Sequence, residues 1–180
     1  MEFGKWGISF KLVLLMQSFS ILIIGYGNNL RSDDGVGRYL AEIIDQQQLP
    51  LVKTLSVHQL TPELVLEIAE SQAVIFIDAI TQCRDAIAFP PLEISLQSLE
   101  PSQDKTRLGH TSNPEQLLSL CKNLYHQCPS AWLLTIPTHN FEFGETFSAL
   151  TQNAIAPALV ILTQLIKILS LKFYAPVENQ

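Results

Sequence analysis

The stretch FSILIIGYGNNLRSDDGVGRYLAEII, residues 19–44, decides the fold. Phe19 to Ile24 is an unbroken β-favouring run, as a strand buried on both faces requires. Gly25, Gly27 and Asn28 then end it in a turn. From Gly35 to Gln47 the period changes. Val36, Leu40, Ile43 and Ile44 fall at i, i+4, i+7 and i+8, one face of an amphipathic helix. A buried strand, a glycine-rich turn and a helix make the opening unit of an α/β domain.

The rest of the chain repeats that alternation. Leu51 to Val57 reads as a second strand. Thr61-Pro62-Glu63 opens a helix, with Thr61 as N-cap and Pro62 in the first helical position. Ala73 to Ile77 is a third buried strand, with Asp78 at its end. Ile87 to Leu96 holds one or two strands broken by Pro90-Pro91, and Leu99 to Gly109 reads as a polar loop. Asn113-Pro114 starts a helix whose apolar face is Leu117, Leu120, Cys121 and Leu124. Trp132 to Ile136 is the last strand. Phe147 to Leu171 is a long apolar helix containing Pro157, suited to packing on the sheet with a partner over its far side. No repeat or low-complexity tract interrupts the pattern.

The 180 residues suit one domain, and 47% hydrophobic against 16% charged residues supports a core. A net charge of −6 disfavours a nucleic-acid partner and fits a cytoplasmic protein. Three cysteines, Cys83, Cys121 and Cys128, without a C-x-x-C pair, make neither a disulfide framework nor a four-cysteine zinc site. Cys121 reads as a small core residue. At the N-terminus, Lys11 interrupts the apolar run and no small-residue cleavage site follows, which argues against a signal peptide. Ser18, Ser20 and the glycine turn dilute a membrane span. Residues 1–15 read as a dispensable extension, Met16 as the natural start, 16–172 as the domain and 173–180 as a tail.

Several kinds of chemistry fail on spacing. A dinucleotide fingerprint needs a glycine three residues after Gly27, where Leu30 stands, and Asp33-Asp34 would repel a phosphate. There is no G-x-S-x-G elbow and no H-E-x-x-H, and Cys83 has no evident base. Carboxylates remain. One of Asp33 and Asp34 suffices to cap the following helix, a role given to Asp33. Gly35 and Gly37 leave the backbone open around Asp34 for an external group. Asp78 ends a buried strand at the carboxyl edge of the sheet, where α/β folds bind ligands, unless it caps a loop or pairs with Arg84. Two such carboxylates and an imidazole would suit nickel or zinc with positions left open. His110, His58 and His139 all compete for the third place. His126, inside a helix, fits least.

GYGNNLRSDDGVG at 25–37 resembles the hydrogenase maturation protease family's G-x-G-N-x-L-x-x-D-[DE]-G-x-G. Gln59-Leu-Thr-Pro-Glu-Leu64 leading to VIFIDA (74–79), Gly109-His110-Thr-Ser with Pro114-Glu115 beyond, and Asn140-Phe-Glu-Phe-Gly-Glu145 follow in matching order. The resemblance spans about residues 18–170. It implies a single three-layer α/β domain, with a twisted, mostly parallel sheet of about five strands flanked by helices. It implies an aspartyl-type or metal-dependent endopeptidase that removes the C-terminal extension of a [NiFe] hydrogenase large-subunit precursor after nickel insertion. A non-proteolytic nickel-binding accessory protein is the alternative. The resemblance selects Asp34, Asp78 and His110 as metal contacts, with Asp34 and Asp78 catalytic through a polarised water. It sets Gly27, Asn28 and Gln59 at the substrate. Nickel would arrive with the substrate, and zinc or another divalent ion would substitute in isolation. Some members carry Glu at the place of Asp34, which leaves ligation by Asp33 or through water open. A monomer without membrane attachment is expected.

Overall fold

The computed structural model describes residues 20–81, 93–102 and 113–174. Five strands form one sheet: β1 (Ile21–Tyr26), β2 (Val52–Val57), β3 (Ala73–Thr81), β4 (Ser95–Leu99) and β5 (Ser130–Thr138). Their order is β2-β1-β3-β5-β4, with all neighbours parallel except the antiparallel edge strand β4. Among the described residues four α-helices flank it: α1 (Val36–Gln46), α2 (Val65–Glu70), α3 (Pro114–Tyr125) and α4 (Ala149–Tyr174).

Alternation along β1 builds two cores from one apolar run. Ile21 and Ile23 face α1 and α4, while Leu22 and Ile24 face α2 and α3. Both sets are fully buried, which requires a continuous apolar run. The expected three-layer α/β class is therefore the one observed. Cys121 is buried in the second core, as expected of a small apolar residue.

Several boundaries differ from expectation, each for a local reason. β1 continues through Gly25 and Tyr26, because Gly25 still pairs with Ser56 and Ile77. β3 continues four residues past Ile77, paired with β5 up to Thr81 and Thr138, so Asp78 lies within the strand. Thr61 stands before a 3-10 turn (Pro62–Leu64) and makes no side-chain cap. α3 has a full capping box, with Gln116 N donating to Asn113 Oδ1 and Asn113 N to Gln116 Oε1. Its buried face is Pro114, Leu117, Leu118 and Cys121. Leu124, expected inside, is 60% exposed, because the helix ends one residue later, at Tyr125, before the left-handed His126. Leu99 closes β4 instead of opening a loop.

α4 lies on the α1 side of the sheet through Ala158, Leu162, Ile166 and Leu169. Pro157 falls on its exposed side within a continuous helix, where water can satisfy the carbonyl that lacks a partner. The segment 149–173 is long and apolar enough to cross a membrane by composition, and its inner side belongs to the sheet core. The expectations for residues 1–15, Met16, Cys83, Arg84, 87–92 and His110 lie outside the described residues, as does the chain beyond Tyr174.

Candidate active site

From β1 the chain turns to one side to make β2, and later reaches β3 on the other. The carboxyl ends of β1 and β3 thus flank a topological switch point, where the diverging loops leave a crevice. Tyr26 is the last residue of β1, and Gly25 pairs with Ile77, so one step further Tyr26 stands beside Asp78. Its hydroxyl donates to Asp78 Oδ2 at 2.7 Å. The N–H of Ala79 donates to Asp78 Oδ1 at 2.8 Å. Asp34 comes from the 3-10 turn Ser32–Gly35 that follows β1. The N–H of Asn28 holds its Oδ2 at 2.9 Å.

The electrostatics join these groups. Burial pushes the Asp78 carboxyl above the usual aspartate range. The Tyr26 and Ala79 hydrogen bonds oppose that shift, and the charge of Asp34 adds to it. Burial also pushes the Tyr26 phenol far up, reinforced by the charge of Asp78, by their shared hydrogen bond and by Glu115 in the first turn of α3. Tyr26 is therefore a neutral donor at any working pH. The structure brings the two sequence-selected aspartates together, with a tyrosine that the sequence reading missed. The signal for it was an aromatic hydroxyl ending an otherwise aliphatic strand.

Asp33 does not cap α1, whose N-cap position is Gly35 without a side-chain bond. It is fully buried, and both its oxygens accept hydrogen bonds. Oδ2 takes the N–H of His139 (3.0 Å), the N–H of Asn140 (2.8 Å) and the hydroxyl of Ser148 (2.7 Å), and Oδ1 takes the N–H of Ser148 (2.6 Å). Ligation by Asp33 is thereby removed from consideration. The segment 139–148 is further tied to the motif turn by Ser32 N to Gly144 O, Gly144 N to Leu30 O and Asp33 N to Asn140 O. Consecutive residues on a 3-10 turn point about 120° apart, so burying Asp33 turns Asp34 elsewhere.

Nor do Gly35 and Gly37 open the backbone to an external group. Both are buried. A Cβ on Gly37 would sit 2.4 Å from Ile77 O, and one on Gly35 2.9 Å from Asn29 Oδ1. The small size of Gly37 lets the start of α1 press onto the ends of β1 and β3, and that of Gly35 admits Asn29 of the motif turn. Gly27 has φ +135° and lies against the Asp34 carbonyl, while Asn28 supplies the N–H that holds Asp34. Gln59 is exposed just beyond β2.

His58 and His139 are exposed after β2 and β5, and His126 ends α3. None of them forms a three-donor group with the aspartates among the described residues. Two carboxylates near enough to influence one another fit a divalent ion that brings most of its own ligands.

No family model matches the sequence, and no curated protein sequence matches it. Solved structures do match. The hydrogenase maturating endopeptidase HybD from E. coli superposes with a TM-score of 0.65 at 20% identity, over 83% of this chain and 93% of that one. The [NiFe] hydrogenase maturation protease HybD from Thermococcus kodakarensis gives 0.62 at 21%, over 81% and 98%. HycI from the same organism gives 0.59 at 19%, over 86% and 97%. The chain has the fold of these maturation proteases along nearly their whole length.

Proposed function

We propose that this chain is an endopeptidase of hydrogenase maturation, removing the C-terminal extension of a [NiFe] hydrogenase large-subunit precursor after nickel insertion. The observation that carries the reading is the proximity of Asp34 and Asp78 at the switch point of a sheet shared with proteins named for that activity. The nickel is part of the substrate, held by the precursor's own ligands. Asp34 and Asp78 offer it two carboxylate contacts, and His110 is the proposed third. Recognition of the metal then precedes cleavage, which makes cutting conditional on insertion. The raised Asp78 carboxyl suits it to take a proton from water attacking the scissile amide. Zinc or another divalent ion is expected to occupy the same contacts in isolation.

A folded protein substrate needs more surface than a metal contact. Leu30 and Phe143 supply an apolar one, Phe143 being 84% exposed on the segment that is hydrogen-bonded to the motif turn. A rigid apolar platform binds with little ordering cost. The proposed setting is the cytoplasm, with the enzyme acting as a monomer. Mass spectrometry of nickel-loaded precursor, incubated with the wild-type protein and with Asp34→Asn, tests the reading. Loss of a discrete C-terminal peptide with the wild type only is expected. Binding without any loss of mass would turn the reading to a nickel-handling accessory protein.

A further inference from the structure

We infer that Tyr26 is a positioning residue that sets the orientation in which Asp78 meets the substrate. An ionised carboxylate has about four lone-pair positions. Tyr26 takes one on Oδ2 and Ala79 takes one on Oδ1, so each oxygen keeps one for a further contact. The two donors come from different places, one from the neighbouring strand and one from the backbone of the next residue, Ala79. A carboxylate held on both oxygens cannot turn freely about its terminal torsion, whereas one held on a single oxygen by the adjacent backbone N–H can. Like charge makes this matter. Asp34 lies near enough to act on Asp78, and an unrestrained Asp78 would swing away from it. The Tyr26 ring is anchored for the task, packed against the core on the α2 and α3 side of the sheet. Its phenol reaches Asp78 Oδ2, and the residue ends a strand that Gly25 ties to both neighbours.

This inference rests on the reading of Asp78 as a group that touches the nickel-loaded precursor. Four proteins test it: wild type, Tyr26→Phe, Asp78→Ala and the double variant. Each is measured for affinity toward nickel-loaded precursor and for single-turnover cleavage. Tyr26→Phe keeps the ring and removes only the hydroxyl, so its melting temperature should stay within about 2 °C of wild type. Its cleavage rate should fall about tenfold, the scale of a modest misplacement of a reacting group. Its affinity should fall about threefold with Asp78 present and not at all in the Asp78→Ala background, since the hydroxyl acts only through that carboxylate. An equal affinity loss in both backgrounds would make Tyr26 merely structural and overturn the inference. So would a Tyr26→Phe protein that binds and cleaves like wild type while Asp78→Ala is inactive, with the proteolytic reading left standing. Normal cleavage by Asp78→Ala would instead sink the reading itself, and the inference with it.

Discussion

Exchanging Asp33 for asparagine keeps the shape of the side chain and removes one acceptor oxygen and the charge. Four donors converge on that carboxylate, three on Oδ2 and one on Oδ1. The amide oxygen will turn toward the three, which leaves the NH2 facing the N–H of Ser148. One charge-assisted bond becomes a donor–donor clash, and three others lose their charge assistance. At the usual scale for bonds to charged groups, the total is roughly 3 kcal/mol. For a chain of this size that corresponds to a fall in melting temperature of roughly 6–12 °C.

The pH dependence fixes the cause. Burial alone would raise the Asp33 carboxyl. The backbone N–H groups of His139, Asn140 and Ser148 and the Ser148 hydroxyl outweigh burial and hold it below the usual aspartate range. A folded pKa below the unfolded one contributes stability that is complete above the unfolded value, about 3.9, and is lost as pH falls through the folded value. Urea unfolding of wild type and Asp33→Asn from pH 7 downward should therefore show a constant gap to about pH 4 and a closing one below it. A gap under about 1 kcal/mol at neutral pH, or one indifferent to acid, would refute the assignment of Asp33 to the scaffold.

Asp34→Asn should leave the melting temperature within about 2 °C, because the amide oxygen can still accept the Asn28 N–H, while precursor cleavage is abolished. Carbon NMR of the Asp78 carboxyl should show a titration midpoint above the ordinary 3.8, moving down in Asp34→Asn as the neighbouring charge is removed. A midpoint unmoved by that substitution would separate the two groups. Gly27→Ala places a Cβ 1.9 Å from the Asp34 carbonyl at φ +135° and should cost roughly 3 kcal/mol in urea unfolding. Phe143→Ser should leave stability unchanged and raise KM for the precursor about tenfold, the scale of an exposed aromatic anchor.

The fold was legible because burial on both faces writes itself into composition. An uninterrupted Ile21–Ile24 run can only be a central strand, and the helical period of Val36, Leu40 and Ile44 can only cover it. Asp78 was legible as the place where full burial ends, since a charge breaks the apolar run there, but its position inside β3, which continues to Thr81, was not. What stayed hidden depended on partners distant in sequence. Asp33 and Asp34 are chemically identical neighbours, and nothing within residues 25–37 says which is structural. The choice is made by the N–H groups of His139, Asn140 and Ser148, more than a hundred residues on, which converge on Asp33 and leave Asp34 partly exposed. Gly35 and Gly37 misled in the same way, because a glycine admits a neighbouring backbone as readily as a ligand. The Tyr26–Asp78 pair needed the strand order, which local pattern does not carry: only with β1 beside β3 does Gly25 opposite Ile77 bring the phenol to the carboxylate. Position within the motif therefore does not separate Asp33 from Asp34, and contacts across the chain bury the one and leave the other partly exposed.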